Sequence, residues 1–178
     1  SYTYVRSLTC NIFKKPTYNA GSKAKKVKKF ILNNNLKDQY DFIFLDCPPT
    51  ISVYTDAALI ASDFYLVPIR IDRYSILGIK LLKQVIDRLD DNESIGIRPL
   101  GIVYTMVKDL THKTLQLKAT FESTEIVQEI GLFENMTSNV NDLLVGLQGN
   151  IASKYKKSRE DISAICKEFL ERIEKYDV

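Results

Sequence analysis

One stretch constrains the fold more than any other: Tyr40-Asp41-Phe42-Ile43-Phe44-Leu45-Asp46-Cys47-Pro48-Pro49-Thr50. Four apolar residues, Phe42 to Leu45, stand between Asp41 and Asp46. A short, continuous apolar run rich in aromatic and branched side chains reads as a strand buried on both faces. Pro48 and Pro49 have no N–H to give to a ladder, so the strand ends near Asp46. Asp46 is thereby placed at the C-terminal tip of a parallel strand, where open α/β sheets bind ligands. The residues alone leave a second reading open, in which Asp46 closes a core strand and caps the following turn.

The rest of the chain repeats the pattern. Gly21-Ser22 suits a helix start with Ser22 as N-cap, and Val27, Phe30 and Ile31 follow at helical spacing. Asn33-Asn34-Asn35 ends that helix. Ile51 to Ala61 reads as a short helix whose Ala57, Ala58 and Ala61 allow close packing on a sheet. Phe64-Tyr65-Leu66-Val67 is a second apolar strand, stopped by Pro68. Ile76, Ile79, Leu82, Val85, Ile86 and Leu89 form a helical stripe closed by Asp90-Asp91-Asn92. Leu100 to Tyr104 is a third buried strand with Thr105 at its tip.

Leu115 to Ile130 reads as one helix with Gly131 as its C-cap, and Leu132 to Met136 as a fourth strand. After an irregular stretch, Ser158 and Asp161 form a loose capping arrangement. Ile162, Ile165, Cys166, Phe169, Leu170 and Ile173 give the last helix an apolar face. At the other end, Tyr2-Thr3-Tyr4-Val5 is strand-like.

Strands alternating with helices predict an α/β fold: three layers, a mostly parallel sheet with helices on both faces. Residues 40–46, 64–69 and 100–105 are expected as neighbouring strands of that sheet, with Asp46 and Thr105 at its C-terminal edge. Residues 1–178 read as a single domain.

Charge is distributed unevenly. Residues 1–45 carry nine Lys/Arg and two acids, whereas residues 46–178 carry 16 and 20. The excess is concentrated in Lys23, Lys25, Lys26, Lys28 and Lys29, a candidate surface for nucleic acid and equally a solvated helix face. Cys10, Cys47 and Cys166 have no metal or disulfide spacing and suit a reducing, cytoplasmic setting. His112, the only histidine, has no nucleophile that the sequence pairs with it and reads as a surface loop residue.

With its flanks, Asp46-Cys47-Pro48-Pro49 resembles the ParA/MinD family of deviant Walker P-loop ATPases, closest to ParA-type partition proteins. Further motifs in the same order carry the resemblance. Asp56-Ala57-Ala58-Leu59-Ile60-Ala61-Ser62-Asp63 matches a helix of "N-A-L-x-A-A-D" character. Tyr65-Leu66-Val67-Pro68 and Ser75-Ile76-Leu77-Gly78 match the next strand and helix opening. Gly101-Ile102-Val103-Tyr104-Thr105-Met106 looks like "G-I-L-x-T-M". Asn139 and Val140 match the end of "P-R-N-V", from which Thr137 and Ser138 depart.

The resemblance implies part of a P-loop NTPase fold that binds ATP and Mg²⁺. It puts Asp46, Pro48 and Pro49 beside the metal and γ-phosphate, with Asp46 the metal residue. Thr105, Met106 and Asn139 fall on the adenine side. It also implies a homodimer, non-specific DNA and a ParB-like centromere-binding partner.

The family's "K-G-G-x-G-K-S/T" loop is not found in these 178 residues. The chain is therefore expected to be the C-terminal part of such an ATPase, a fragment or a truncated gene product, inactive alone and with no complete catalytic set. Two alternatives are a non-catalytic partner- or DNA-binding module of the same fold and a MinD-like ATPase. The last helix mixes Glu168, Glu171 and Glu174 with Lys167, Arg172 and Lys175, which speaks against membrane targeting, and no membrane partner is expected.

Overall fold

The strand that ends in Asp46 runs from Phe42 to Asp46 (β2) and pairs in parallel with Val5–Thr9 (β1), Val5 opposite Phe42 and Thr9 opposite Asp46. A computed structural model describes residues 5–9, 24–48, 50–108, 111–149 and 151–176. These fall into two compact units, Ser1–Phe64 with Leu81–Arg98 and Tyr65–Lys80 with Pro99–Val178.

In the first unit β2 is only half-buried, and Phe44 keeps 39% of its surface exposed. This corrects the expectation of a strand covered on both faces. Successive side chains point to opposite sides of a strand. Ile43 and Leu45 pack on a cluster of Val27, Ile31 and Ala57, while the Phe42 and Phe44 rings lie 6.5 Å apart.

Val27 and Ile31 belong to α1 (Lys26–Asn33), whose N-cap position is Lys25 with no side-chain cap. The expected cap Ser22 lies outside the described residues, as do Tyr2, Thr3 and Tyr4. Asn34 closes α1, and Asn35 takes φ +48° before α2 (Leu36–Gln39), a left-handed position that Asn tolerates.

Ser52 starts α3 (Val53–Ala61) by accepting the Tyr54 N–H at 3.3 Å. Ala57 and Ala58 are buried, as their small side chains allow. Helix α4 runs from Ser75 to Glu93, one residue past the expected end, and buries Val85, Ile86 and Leu89 of its stripe in this unit.

The second unit is built on β3 (Phe64–Ile69) and β4 (Arg98–Tyr104). The Asp63 carbonyl accepts the Arg98 N–H at 3.1 Å and the Ile69 carbonyl accepts the Thr105 N–H at 2.7 Å, so the two strands run the same way. On the other side of β4, Ile102 bridges Leu132 and Val107 bridges Ser138, both parallel. The expected fourth strand is thus present as bridges rather than as a continuous ladder. Ile79, Ile102, Tyr104, Phe121, Val127 and Ile130 make the buried core.

The class is the expected one: α/β with parallel strands. The neighbours differ. The described ladders are β1 with β2 and β3 with β4, and none joins β2 to β3. Apolar runs specify that a segment is a strand, but pairing is made by backbone groups common to every strand.

The expected helix from Leu115 to Ile130 is two, α5 (His112–Glu122) and α6 (Glu125–Ile130). The Ser123 hydroxyl donates to the Thr120 carbonyl at 2.9 Å and that of Thr124 to the Phe121 carbonyl at 2.7 Å. Such bonds compete with continuation of the helix. His112 opens α5 rather than lying in a loop. Gly131 follows α6 at φ +81°, in its expected place.

The four-residue α7 (Asn141–Leu144) leads to the last helix, α8 (Lys156–Glu174). Ser158 and Asp161 lie inside α8, not at its cap. Its buried residues are Ser158, Asp161 and Glu168, while Ile162 of the expected apolar face is 37% exposed and Cys166 is exposed. The polar side is inward because Asp161 and Glu168 serve backbone N–H groups of residues 134–138.

Candidate functional site

Asp46 is the last residue of β2 and is exposed. Cys47 and Pro48 follow, also exposed, and Pro49 lies outside the described residues. The turn is closed locally: the Pro48 carbonyl accepts the Thr50 N–H at 2.7 Å. The Thr55 hydroxyl then ties the Thr50 carbonyl to the first turn of α3 at 2.6 Å. The strand thus delivers a hard oxygen ligand to a fixed turn open to solvent.

Among the described residues no group of three or more His, Cys, Asp and Glu could form a metal cage. Mg²⁺ seldom uses one. It is usually held by one or two carboxylates together with substrate phosphates and water, and Asp46 fits that mode.

A second set of candidates comes together at the end of β4. The Thr105 hydroxyl donates to the Ile69 carbonyl at 3.0 Å, and its N–H donates to the same oxygen. Met106 takes φ +54°, uncommon for a residue with a side chain. Its N–H donates to the Thr137 hydroxyl at 3.0 Å, while the Thr137 N–H donates to the Tyr104 carbonyl at 3.0 Å.

Asn139 donates its N–H to the Val107 carbonyl at 2.8 Å and its side-chain amide to Asn141 Oδ1 at 2.9 Å. Asn139 Oδ1 is buried without a donor. Burying an unsatisfied acceptor costs about 1–3 kcal/mol, which a ligand N–H would recover. Thr105, Met106 and Asn139 are therefore neighbours through Thr137. Thr137 has no role legible in the sequence, because its contact is to a backbone N–H that any residue at position 106 would carry.

Of the five lysines, Lys23 lies outside the described residues. Lys25, Lys26, Lys28 and Lys29 are exposed on or before α1. Lys25 is not free to serve a ligand in the same way as the others, because its ammonium pairs with Glu93 at 2.6 Å. Lys28 lines a groove of about 280 Å³ with Lys37 and Arg98, over Ile31 and Ile60. Lys37 is paired with Asp63 at 3.0 Å, and the Arg98 guanidinium lies 4.5 Å from the centre of the Phe64 ring. Lys37 and Arg98 were missed because they stand far from the cluster in sequence.

Comparison with known proteins shows what the chain is similar to. A family model described as an AAA domain matches residues 17–98. The chromosome-partitioning ATPase Soj of Treponema pallidum is 32% identical over 71 residues, 40% of this chain and 28% of that protein. The chromosome partitioning protein ParA of Myxococcus xanthus is 34% identical over 71 residues, 40% and 25% of the two chains. In structure, a plasmid partition protein of Borrelia burgdorferi bound to AMPPNP superimposes with a TM-score of 0.57 at 19% identity, over 90% of this chain and 63% of that one.

Over these stretches the chain is similar to partition ATPases of the ParA type, and it shares the fold of the plasmid partition protein. It spans less than half the length of the curated ParA/MinD relatives named above. The region matched by the AAA model contains Asp46 and the lysine cluster, whereas Thr105, Met106 and Asn139 lie beyond it. No helix among the described residues is long and apolar enough to cross a membrane.

Proposed function

We propose that the chain is part of a ParA-like ATPase of plasmid or chromosome partitioning that works in the cytoplasm. One observation carries the reading: the exposed Asp46 carboxylate, held at the tip of a parallel strand inside the segment that the AAA-domain model matches. In this reading Asp46 is the Walker B acid and holds Mg²⁺ directly or through water. Pro48 stands beside the γ-phosphate, where the family resemblance also puts Pro49. Thr105, Met106 and Asn139 border the adenine, and Asn139 Oδ1 accepts its exocyclic amino group. Bound Mg²⁺ would neutralise charge developing on the phosphates.

Lysines of α1 would meet DNA phosphates, which give affinity without reading sequence. A homodimer and a ParB-like partner complete the proposed cycle. The 178 residues hold no glycine-rich phosphate loop. Hydrolysis is therefore expected only from a chain that also supplies one.

The test uses two proteins: this chain, and a longer one in which a K-G-G-x-G-K-T loop precedes it. The longer protein should turn over ATP with Mg²⁺ and lose turnover on Asp46→Ala. Asn139→Ala loses the exposed amide bond to Asn141 but none to Oδ1, and should cost no more than about 1 kcal/mol of stability while weakening ATP binding. Turnover unaffected by Asp46→Ala would refute the assignment. A non-catalytic DNA- or partner-binding module of the same fold is the second reading. It predicts that the longer protein also hydrolyses nothing while this chain still binds DNA.

A further inference from the structure

Four aliphatic side chains stand in solvent within eight residues: Leu144 at 57% exposure, Val145 at 71%, Leu147 at 70% and Ile151 at 57%. Exposed apolar residues scattered singly are ordinary, whereas a cluster of them marks an interaction site.

The loop bearing the first three is built. The Val145 N–H donates to the Asn141 carbonyl at 3.0 Å, Leu147 to Asp142 at 3.1 Å and Gly149 to Gly146 at 2.9 Å. Tyr155, only 6% exposed, holds the loop from inside. Its hydroxyl accepts the Gln148 N–H at 2.8 Å and donates to the Gly149 carbonyl at 2.9 Å. Gly146 and Gly149 take φ +69° and +84°, which other residues adopt at a cost. The aliphatic side chains are thus presented by a hydrogen-bonded scaffold.

Between the exposed acids Asp142 and Glu160 the charge has one sign. From Leu143 to Arg159 the sequence has no Asp or Glu and four cations, Lys154, Lys156, Lys157 and Arg159. The Lys157 ammonium is taken by Asp161 at 2.7 Å, and the Arg159 guanidinium approaches the Ser153 carbonyl at 3.5 Å. Lys154, Lys156 and Arg159 are exposed.

We propose that residues 144–159 are a docking loop for an anionic lipid surface. Leu144, Val145, Leu147 and Ile151 enter the boundary between headgroups and acyl chains, and Lys154, Lys156 and Arg159 lie against the headgroups. Apolar side chains beside Lys and Arg form the signature of a segment that lies on a membrane without crossing it. Duplex DNA would use the cations but gain little from four aliphatic side chains, because phosphate contacts are made by polar groups. A protein partner would use the aliphatic side chains. Its anchor residues, however, are most often Trp, Tyr and Arg, with Leu and Val under-represented. The loop with the first turn of α8, and not the mixed Glu and Lys face further along that helix, is the membrane element.

The test is co-sedimentation of the 178-residue chain with phosphatidylcholine vesicles, alone or with about one-third phosphatidylglycerol. The chain should sediment with the mixed vesicles, much less with phosphatidylcholine alone, and less at high salt. Changing Leu144, Val145 and Leu147 together to Ser should weaken binding at least about tenfold. Changing Lys154 and Lys156 together to Gln should weaken it about 25-fold. Both variants alter only exposed side chains, so their circular dichroism should match the native chain.

No sedimentation with mixed vesicles overturns the proposal, as does equal binding by the Ser variant. If vesicle binding is absent and the Lys variant loses duplex DNA in fluorescence anisotropy, the loop serves nucleic acid. If it is absent and the Ser variant turns a dimer into a monomer in analytical ultracentrifugation, the loop is a protein interface.

Discussion

Glu168 and Asn135 meet twice: the Glu168 carboxylate accepts the Asn135 backbone N–H at 3.0 Å and its side-chain amide at 2.8 Å. The same carboxylate accepts the Glu134 N–H at 2.9 Å and is forked by Arg172, whose Nε and Nη2 donate at 3.0 and 2.9 Å. Arg172 also donates to the carbonyls of Leu100 and Leu132. A charged pair on α8 thereby stitches the helix to β4 and to the segment bridged to it.

Acid should loosen this unit first. Burial by itself would raise the Glu168 carboxyl. The N–H groups of Asn135 and Glu134, the Asn135 amide and Arg172 outweigh it and hold the group below its usual 4.5. Asp161 behaves alike: burial opposes, but Lys157 and Ser138 bring it below 3.8. A carboxylate lowered in the folded state adds stability above its unfolded value, and that stability is lost as pH falls through the folded value. Urea midpoints should therefore drop between about pH 5 and pH 3. Glu168→Gln should be less stable at neutral pH and show a shallower acid decline. Glu168→Ala, which leaves Arg172 half-buried without its partner, should cost about 3 kcal/mol. An acid decline unchanged in Glu168→Gln would show that other groups govern it.

Gly101 has no room for a methyl group. Its φ is +142°, and a Cβ there would lie 2.9 Å from Arg172 Nη1 and from two atoms of the Phe133 ring. The guanidinium sits 4.2 Å from the centre of that ring, so neither neighbour can move alone. Gly101→Ala should cost about 2–4 kcal/mol, read as a lower urea midpoint with an unchanged slope. A variant as stable as the native chain would mean that α8 packs less tightly on β4.

The Thr137 hydroxyl is the acceptor for the Met106 N–H. Thr137→Val keeps the shape and removes the acceptor, and should cost about 1 kcal/mol. Thr137→Ser keeps the acceptor and should lie within about 0.5 kcal/mol of native. A Thr137→Val variant as stable as the native chain, with the loss confined to Thr137→Ser, would point to the methyl group instead of the hydrogen bond.

These side chains show where the sequence is legible and where it stops. Asp41 to Pro48 reads correctly as a strand followed by a turn, because apolar run, acid and proline all act locally. The helical stripe from Ile76 to Leu89 is legible for the same reason. The α8 face is not. Hydropathy ranks Ile162 and Cys166 as inside and Glu168 as outside, but Glu168 satisfies N–H groups 33 and 34 positions away. The break at Ser123 and Thr124 depends on hydroxyl bonds that compete with a helix by a small margin. Strand neighbours were misread because pairing is non-local. Thr105, Met106 and Asn139 were legible as neighbours only through motif likeness, and the orphan acceptor on Asn139 only from its surroundings.

The lysine cluster gives the last prediction. Lys26, Lys28 and Lys29 are exposed on α1, whereas Lys25 is tied to Glu93 at 2.6 Å and would have to give up that pair to reach a phosphate. An exposed pair is worth little, at most about 1 kcal/mol, but that is enough to rank Lys25 below its neighbours. Each phosphate contact adds about 0.9 to the slope of log affinity against log salt. If three lysines engage a random duplex, fluorescence anisotropy over a salt series should give a slope near about −3, indifferent to base sequence. Lys26→Gln, Lys28→Gln and Lys29→Gln combined should flatten it almost entirely, and Lys25→Gln should change it by well under one contact. Equal effects of Lys25→Gln and Lys28→Gln would show that the Glu93 pair opens freely. A slope untouched by the triple variant would move the DNA surface away from α1.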